Sequence, residues 1–499
     1  MKKGFVTINI IIIFLFFLSA SITQSTEDTP YLYYYSTQEQ AFIIEKADGS
    51  DSKILAMYEL PPEHTLINGA GWSYTGTWFA WSSSAVGGAG GNKNIYLTDG
   101  IQTLTVLLEP TPQPIYMVWS PNNDLLLVSY YPNIESTVQD VIIFDPNTGS
   151  NVFQASIKEY TNSSVYWLQS IDWSPNGQYL HLINGRTVEI IDPFGDFYLT
   201  ISTPHIGYTG CNNFGTLPRW LSETEIAYWD QSHNELRVWN VVSDSLQEAI
   251  SLPQGQPQSI DWSPNSTSAL IYIKPTTDVN STELWFASIE SELVEIVHES
   301  VIFQNNCNIP FNQTAWFDSE RAIFINQDNH LGFVTLEPDM SVISDLYTGV
   351  QIINGTTFRW TDKDNIVFIG RSNPQGQGYL YNLDLILGES ESTLLLDESV
   401  FQTSQYISHV KNGYILFDEW ILEVISGNYR PIFNNEILID NSDFTLTNAS
   451  WHPDGEWIFV RGNSSSTDDT VYVISPNNSI ERQISTCFSN ISLCYGWLP

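Results

Sequence analysis

An all-β fold of about ten copies of one four-stranded antiparallel unit is predicted by three observations. A short block centred on tryptophan recurs along the chain at a spacing of 42 to 54 residues. Each block is followed by brief apolar runs separated by turn residues, too short to be helices. Aromatic residues make up 13% of the chain and charged residues only 15%, which suits strands and not long surface helices. A 499-residue chain with a repeat of this length matches stacked blades around an axis, the β-propeller.

The recurring block is anchored by Trp72, Trp119, Trp173, Trp220, Trp262, Trp316, Trp360 and Trp451. Its clearest copies read "YMVWSPNNDLLLVS", "SIDWSPNGQYLHLI" and "SIDWSPNSTSALIYI". The residues before the Trp form a first strand. Ser-Pro-Asn-Gly is a tight turn: Pro presets φ at the first corner, Asn tolerates the second, and Gly accepts the position after it. The apolar run beyond the turn is a buried second strand. A third strand ends in Asp- or Gly-containing turns, as in "VIIFDPNTG", and a more polar fourth strand closes the unit. The Trp is expected to pack between neighbouring blades.

The interval between Trp360 and Trp451 holds a degenerate copy, "YISHVKNGYILFDE", with Ser408 near the anchor position. At the N-terminal end, "YLYYYSTQEQAFIIEKADGSDSKIL" reads as strands two to four with no Trp strand before them. Trp497 lies in phase with Trp451, so the C-terminal strand is expected to pair with the N-terminal strands and close the ring. The count alone leaves one large ring, two smaller ones or a skipped unit open.

The Trp-Ser-Pro-Asn/Asp-Gly blocks, with third and fourth strands like "IEKADGSDSKIL", resemble the WD-repeat-like β-propeller of TolB type. The resemblance covers about residues 29–499. It implies the propeller fold and says little about activity, because such propellers bind varied ligands or gate an attached enzyme. Trp220, Trp316 and Trp360 lack the Ser-Pro, and the unit at Ser408 lacks the Trp. The N-terminal domain of TolB and the hydrolase domain of related peptidases have no counterpart.

Residues 1–21 read as a signal peptide: Lys2 and Lys3, an apolar stretch from Phe5 to Leu18, then small polar residues. Residues 22–28 read as a linker and 29–499 as the propeller. A secreted or extracytoplasmic protein is expected, with no membrane association beyond the signal peptide. The formal net charge of −38 excludes nucleic acid as a reasonable partner, because such a chain repels phosphate backbones.

The four cysteines are disulfide candidates in an exported chain. Cys487 and Cys494 could close a small loop. Cys211 and Cys307 each stand nine residues before an anchor, Trp220 and Trp316, in the two longest inter-blade connections. Those connections and most long insertions belong to one face of the ring, where a binding site is expected.

No catalytic residue is expected. No G-x-S-x-G elbow is present, and the Ser of Trp-Ser-Pro is a turn residue. The eight His are scattered singly, and acidic loops such as 48–52 could hold calcium but do not match the EF-hand loop, so no metal or cofactor is predicted. The leading reading is a non-catalytic propeller that binds a protein, peptide or glycan. Its alternatives are a glycan hydrolase or lyase, which needs carboxylates converging in the channel, and a structural cell-surface component.

Overall fold

The computed structural model describes residues 29–36, 38–59, 64–85, 94–106, 114–130, 138–158, 171–184, 187–193, 198–202, 218–230, 232–278, 281–301, 314–335, 340–346, 350–352, 358–362, 364–371, 379–385, 392–394, 414–417, 420–423, 429–431, 445–453, 457–463, 468–475, 481–488 and 495–498. All regular elements among them are strands, and these form ten antiparallel sheets in chain order. The fold is a β-propeller of four-stranded blades.

Blade 4 shows the pattern. Ile171–Trp173 pairs with Leu180–Asn184, which pairs with Thr187–Ile191, which pairs with Tyr198–Ser202. Blades 2, 3, 5, 6, 7 and 10 repeat this order, each first strand ending on its anchor: Trp72, Trp119, Trp220, Trp262, Trp316 and Trp451. In blade 8, Gln351–Ile352 and Phe358–Trp360 both pair with Asn365–Arg371. Blade 9 has three described strands, from Tyr414 to Pro431; the degenerate anchor region around Ser408 lies outside the described residues.

Blade 1 is composite. Tyr31–Ser36, Ala41–Lys46 and Lys53–Met57 are joined by Tyr495–Trp497, with Leu32 opposite Trp497 and Tyr34 opposite Tyr495. The two ends of the sequence therefore share one sheet. Blade 10 also packs on blade 1: Phe459, Val471 and Val473 share a buried cluster with Tyr33 and Phe42.

The turn after the anchor is set by its residues. In blade 4 the Gly177 N–H donates to the Ser174 carbonyl at 2.8 Å, closing a turn with Pro175 at its first corner. The Ser174 hydroxyl accepts the Tyr179 N–H at 3.0 Å and donates to Asn176 Oδ1 at 2.7 Å. Ser174 is fully buried, so this serine holds the hairpin and is sealed from any substrate. Gly177 has φ +64°, and a Cβ there would collide with Ser120 and Asn122 of blade 3.

The core lies between blades. Trp119, Leu126 and Val128 of blade 3 pack on Ala80, Ile95 and Leu97 of blade 2. Equivalent clusters join blades 3 to 4, 4 to 5, 5 to 6, 6 to 7 and 7 to 8. Side chains alternate along each strand, so both faces of a blade are apolar and both are covered.

The outer strands are guarded. In blades 1, 3, 5, 6, 7 and 10 the fourth strand shifts register against its neighbour; the shifts in blades 1, 3, 5 and 10 leave Leu55, Val152, Gln247 and Ile484 unpaired. Such bulges twist an edge strand away from intermolecular pairing.

Candidate functional site

The anchors do more than fill space. The Trp119 indole N–H donates to the Gly71 carbonyl at 2.9 Å, and the Trp360 indole to the Ala315 carbonyl at 2.9 Å. Trp316 reaches the Asp261 carbonyl at 3.2 Å and Trp220 the Asp172 carbonyl at 3.4 Å. In all four cases the acceptor is the residue just before the anchor of the preceding blade. First strands are thus stitched to first strands, which makes them the inner wall of the ring; the fourth strands, such as Ser245–Ser251, carry the exposed side chains.

The indole points back toward the preceding blade. The residue before the Trp points the other way, because strand side chains alternate. Around the wall that position is occupied by Gly71, Val118, Asp172, Arg219, Asp261, Ala315, Arg359, Ser450 and Gly496 in blades 2 to 8, 10 and 1. Blades 4, 5 and 6 therefore place Asp172, Arg219 and Asp261 side by side at one level. Blades 10, 1 and 2 put only Ser450, Gly496 and Gly71 at this position, and the Tyr33 hydroxyl of blade 1 stands beside Gly71.

Each aspartate lies within range of the Arg219 charge without closing on it. Burial raises the Asp172 carboxyl, opposed by the Trp173 N–H, which donates to it at 2.8 Å, and by the charge of Arg219. Burial pushes Asp261 up to about 6, against a hydrogen bond donated by Thr314 Oγ1 and the same Arg219 charge. Among the described residues no ion pair joins Arg219 to either aspartate. Asp172 and Arg219 are both solvent-accessible. The Asp172 carboxyl is thus accessible and still raised by the desolvation of its surroundings.

Behind these groups the wall stays polar. Thr314, on the first strand of blade 7, is buried, and so is Tyr272, whose hydroxyl is pushed well above its ordinary value by burial first and the Asp261 charge second. His181 sits directly across from Asp172 on the second strand of blade 4. It is buried beneath Trp220, ring centroids 6.1 Å apart, and neither ring nitrogen has a hydrogen-bond partner. Burial lowers it to about 4, so it is neutral at pH 7.

Among the expected site residues, Trp72, Trp119, Trp173, Trp220, Trp262, Trp316, Trp360, Trp451 and Trp497 each end the first strand of a blade. Cys211, Cys307 and Cys494 lie outside the described residues, and the backbone of Cys487 pairs with Asp469 in blade 10. The long connections 203–217 and 302–313 also lie outside them; they lead into the strands that carry Arg219 and Thr314. Sequence reading missed Asp172, Arg219 and Asp261. Their signal was a charged residue just before the anchor, in "IDW", "PRW" and "IDW".

No family model matches the chain, and no curated protein does. Solved structures of low identity do. A eukaryotic initiation factor is 9% identical, with a TM-score of 0.49 over 95% of this chain and 99% of that one. The C-terminal WD40 domain of Sif2 is 11% identical, with a TM-score of 0.36 over 83% of this chain and 96% of that one. Dipeptidyl peptidase 4 of Porphyromonas gingivalis is 11% identical, with a TM-score of 0.42 over 93% of this chain and 59% of that one. The propeller is established by the blade topology of the chain itself.

Proposed function

We propose that this chain is a secreted, TolB-like propeller that binds a ligand without chemical turnover, at the inner wall of blades 4 to 6. The observation that carries the reading is that Asp172, Arg219 and Asp261 hold the same position on three successive blades, each aspartate within range of the Arg219 charge and joined to it by no ion pair. Asp172 and Arg219 are solvent-accessible, so the gap between the charges is open to a ligand. A ligand that enters the gap completes them. The signal-peptide pattern of residues 1–21 and the acidic composition support export and solubility. The protein, peptide or glycan that binds is expected to be retained by the full-length secreted protein on an array. Retention should fall on substituting Arg219→Gln with the melting temperature unchanged. Retention that ignores Arg219 would place binding elsewhere.

A second reading is favoured by one feature of the same wall. Asp261, raised to about 6, is suited to donate a proton near neutral pH, and Asp172 supplies a second carboxylate one blade beyond Arg219. Turnover of a bound glycan that Asp261→Asn abolishes would establish an enzyme and displace the binding-module reading.

A further inference from the structure

Resting on the binding reading, the wall of blades 4 to 6 also restricts what the ligand is. Asp172 and Asp261 offer acceptors; Arg219 between them offers donors. A cationic ligand would satisfy the carboxylates but face the guanidinium. An anionic ligand would satisfy Arg219 but face both carboxylates, on a chain with a net charge of −38. A hydroxyl group donates to a carboxylate and accepts from a guanidinium, so neighbouring hydroxyls complete all three groups without placing a like charge beside any of them.

We propose that this wall binds a neutral polyhydroxylated ligand, a sugar ring of an uncharged glycan, bridging Asp172, Arg219 and Asp261. Thr314 holds the far carboxylate through its hydroxyl, which leaves the remaining lone pairs of Asp261 for the ligand.

The test uses the full-length secreted protein and a panel of uncharged oligosaccharides: gluco-, xylo-, manno- and galacto-oligomers. Basic and acidic peptides and uronic-acid oligomers serve as controls. Calorimetry at low and high sodium chloride should find a neutral oligosaccharide whose affinity is nearly independent of salt. Asp172→Asn, Arg219→Gln and Arg219→Lys should each weaken it by about tenfold or more, as expected when a hydrogen bond to a charged group is lost. Thermal melts of the three variants, matched to the parent, exclude misfolding. If no neutral oligomer binds, or if one binds with affinity unmoved by all three substitutions, the proposal is overturned. A charged peptide captured with steep salt dependence and lost on Arg219→Gln overturns the sugar and leaves the binding reading standing. Hydrolysis of a bound neutral oligomer does the reverse: the ligand class holds and the non-catalytic reading falls.

Discussion

Arg482 and Glu45, 437 residues apart, form a hydrogen-bonded ion pair across the junction of blades 10 and 1, Nη2 to Oε1 at 2.6 Å. Glu45 is only 3% exposed. Gly49 makes room for the arginine: a Cβ there would stand 3.0 Å from the guanidinium. Burial first, and then the charge of Glu45, holds the Tyr34 hydroxyl up at about 12. Removing the arginine alone strands a buried carboxylate. Arg482→Met is expected to cost about 3 kcal/mol in a denaturant titration, and the pair Arg482→Met with Glu45→Gln to recover much of that. A double variant no more stable than the single one would refute the pairing as the cause.

The indole bonds divide the anchors into two classes. Trp119 donates to Gly71, whereas the buried nitrogen of Trp173 has no partner. Both substitutions to Phe lose some packing. Trp119→Phe also leaves a backbone carbonyl unsatisfied, so it should cost about 1–2 kcal/mol more than Trp173→Phe. Equal losses by chemical denaturation would show that packing alone sets the value of an anchor.

The anchor turns differ by one residue. Gly76, Gly177 and Ser266 each donate to the anchor-following serine, with φ of 68°, 64° and 60°. Only Ser266 carries a side chain in that left-handed conformation. Ser266→Gly is expected to stabilise blade 6 by about 0.5–1 kcal/mol, the relief of the strain less the added entropy of the unfolded chain. Gly177→Ala should destabilise by about 2 kcal/mol or more, because it adds both strain and a collision with Ser120 and Asn122. Differential scanning calorimetry reads both, and shifts of the same sign would contradict the turn geometry.

Acid should act on the wall in two opposed ways. His181 falls from 6.5 to about 4 on folding, so the unfolded chain takes the proton first, and stability drops as pH falls from about 6.5 toward 4. Asp261 rises from 3.8 to about 6, so the folded chain takes the proton first; its stabilising contribution is present below 3.8 and lost as pH rises through about 6. Each effect is on the order of 3 kcal/mol, and together they partly cancel in the parent. His181→Phe should make the protein more acid-resistant between pH 4 and 6.5. Asp261→Asn should remove the opposing gain and steepen the acid loss. Stability profiles for both variants that overlay the parent would show that neither group changes pKa on folding.

Much of the fold was legible because each unit writes its own punctuation. Ser-Pro-Asn-Gly specifies the turn after Trp173 with local hydrogen bonds alone, and the phase of Trp497 against Trp451 predicted the strand that pairs with Tyr31–Ser36. The bulges left no such mark, since the unpaired residue is Leu55 in one blade, Val152 in another and Gln247 in a third. The charged wall was half-legible. Asp172, Arg219 and Asp261 share one offset from their anchors, but only the stacking of blades turns an offset into proximity. His181 looked like one scattered histidine among eight, because burial beneath Trp220 is a property of two blades and not of either sequence block.

The composite first blade has a consequence for biosynthesis. Tyr31–Ser36 leaves the ribosome long before Tyr495–Trp497, the strand that covers its inner edge. Throughout synthesis this sheet therefore waits with an open edge, a ready template for another chain. A blade begun before every other described blade is completed after them, when Tyr495–Trp497 pairs with Tyr31–Ser36 and covers that edge.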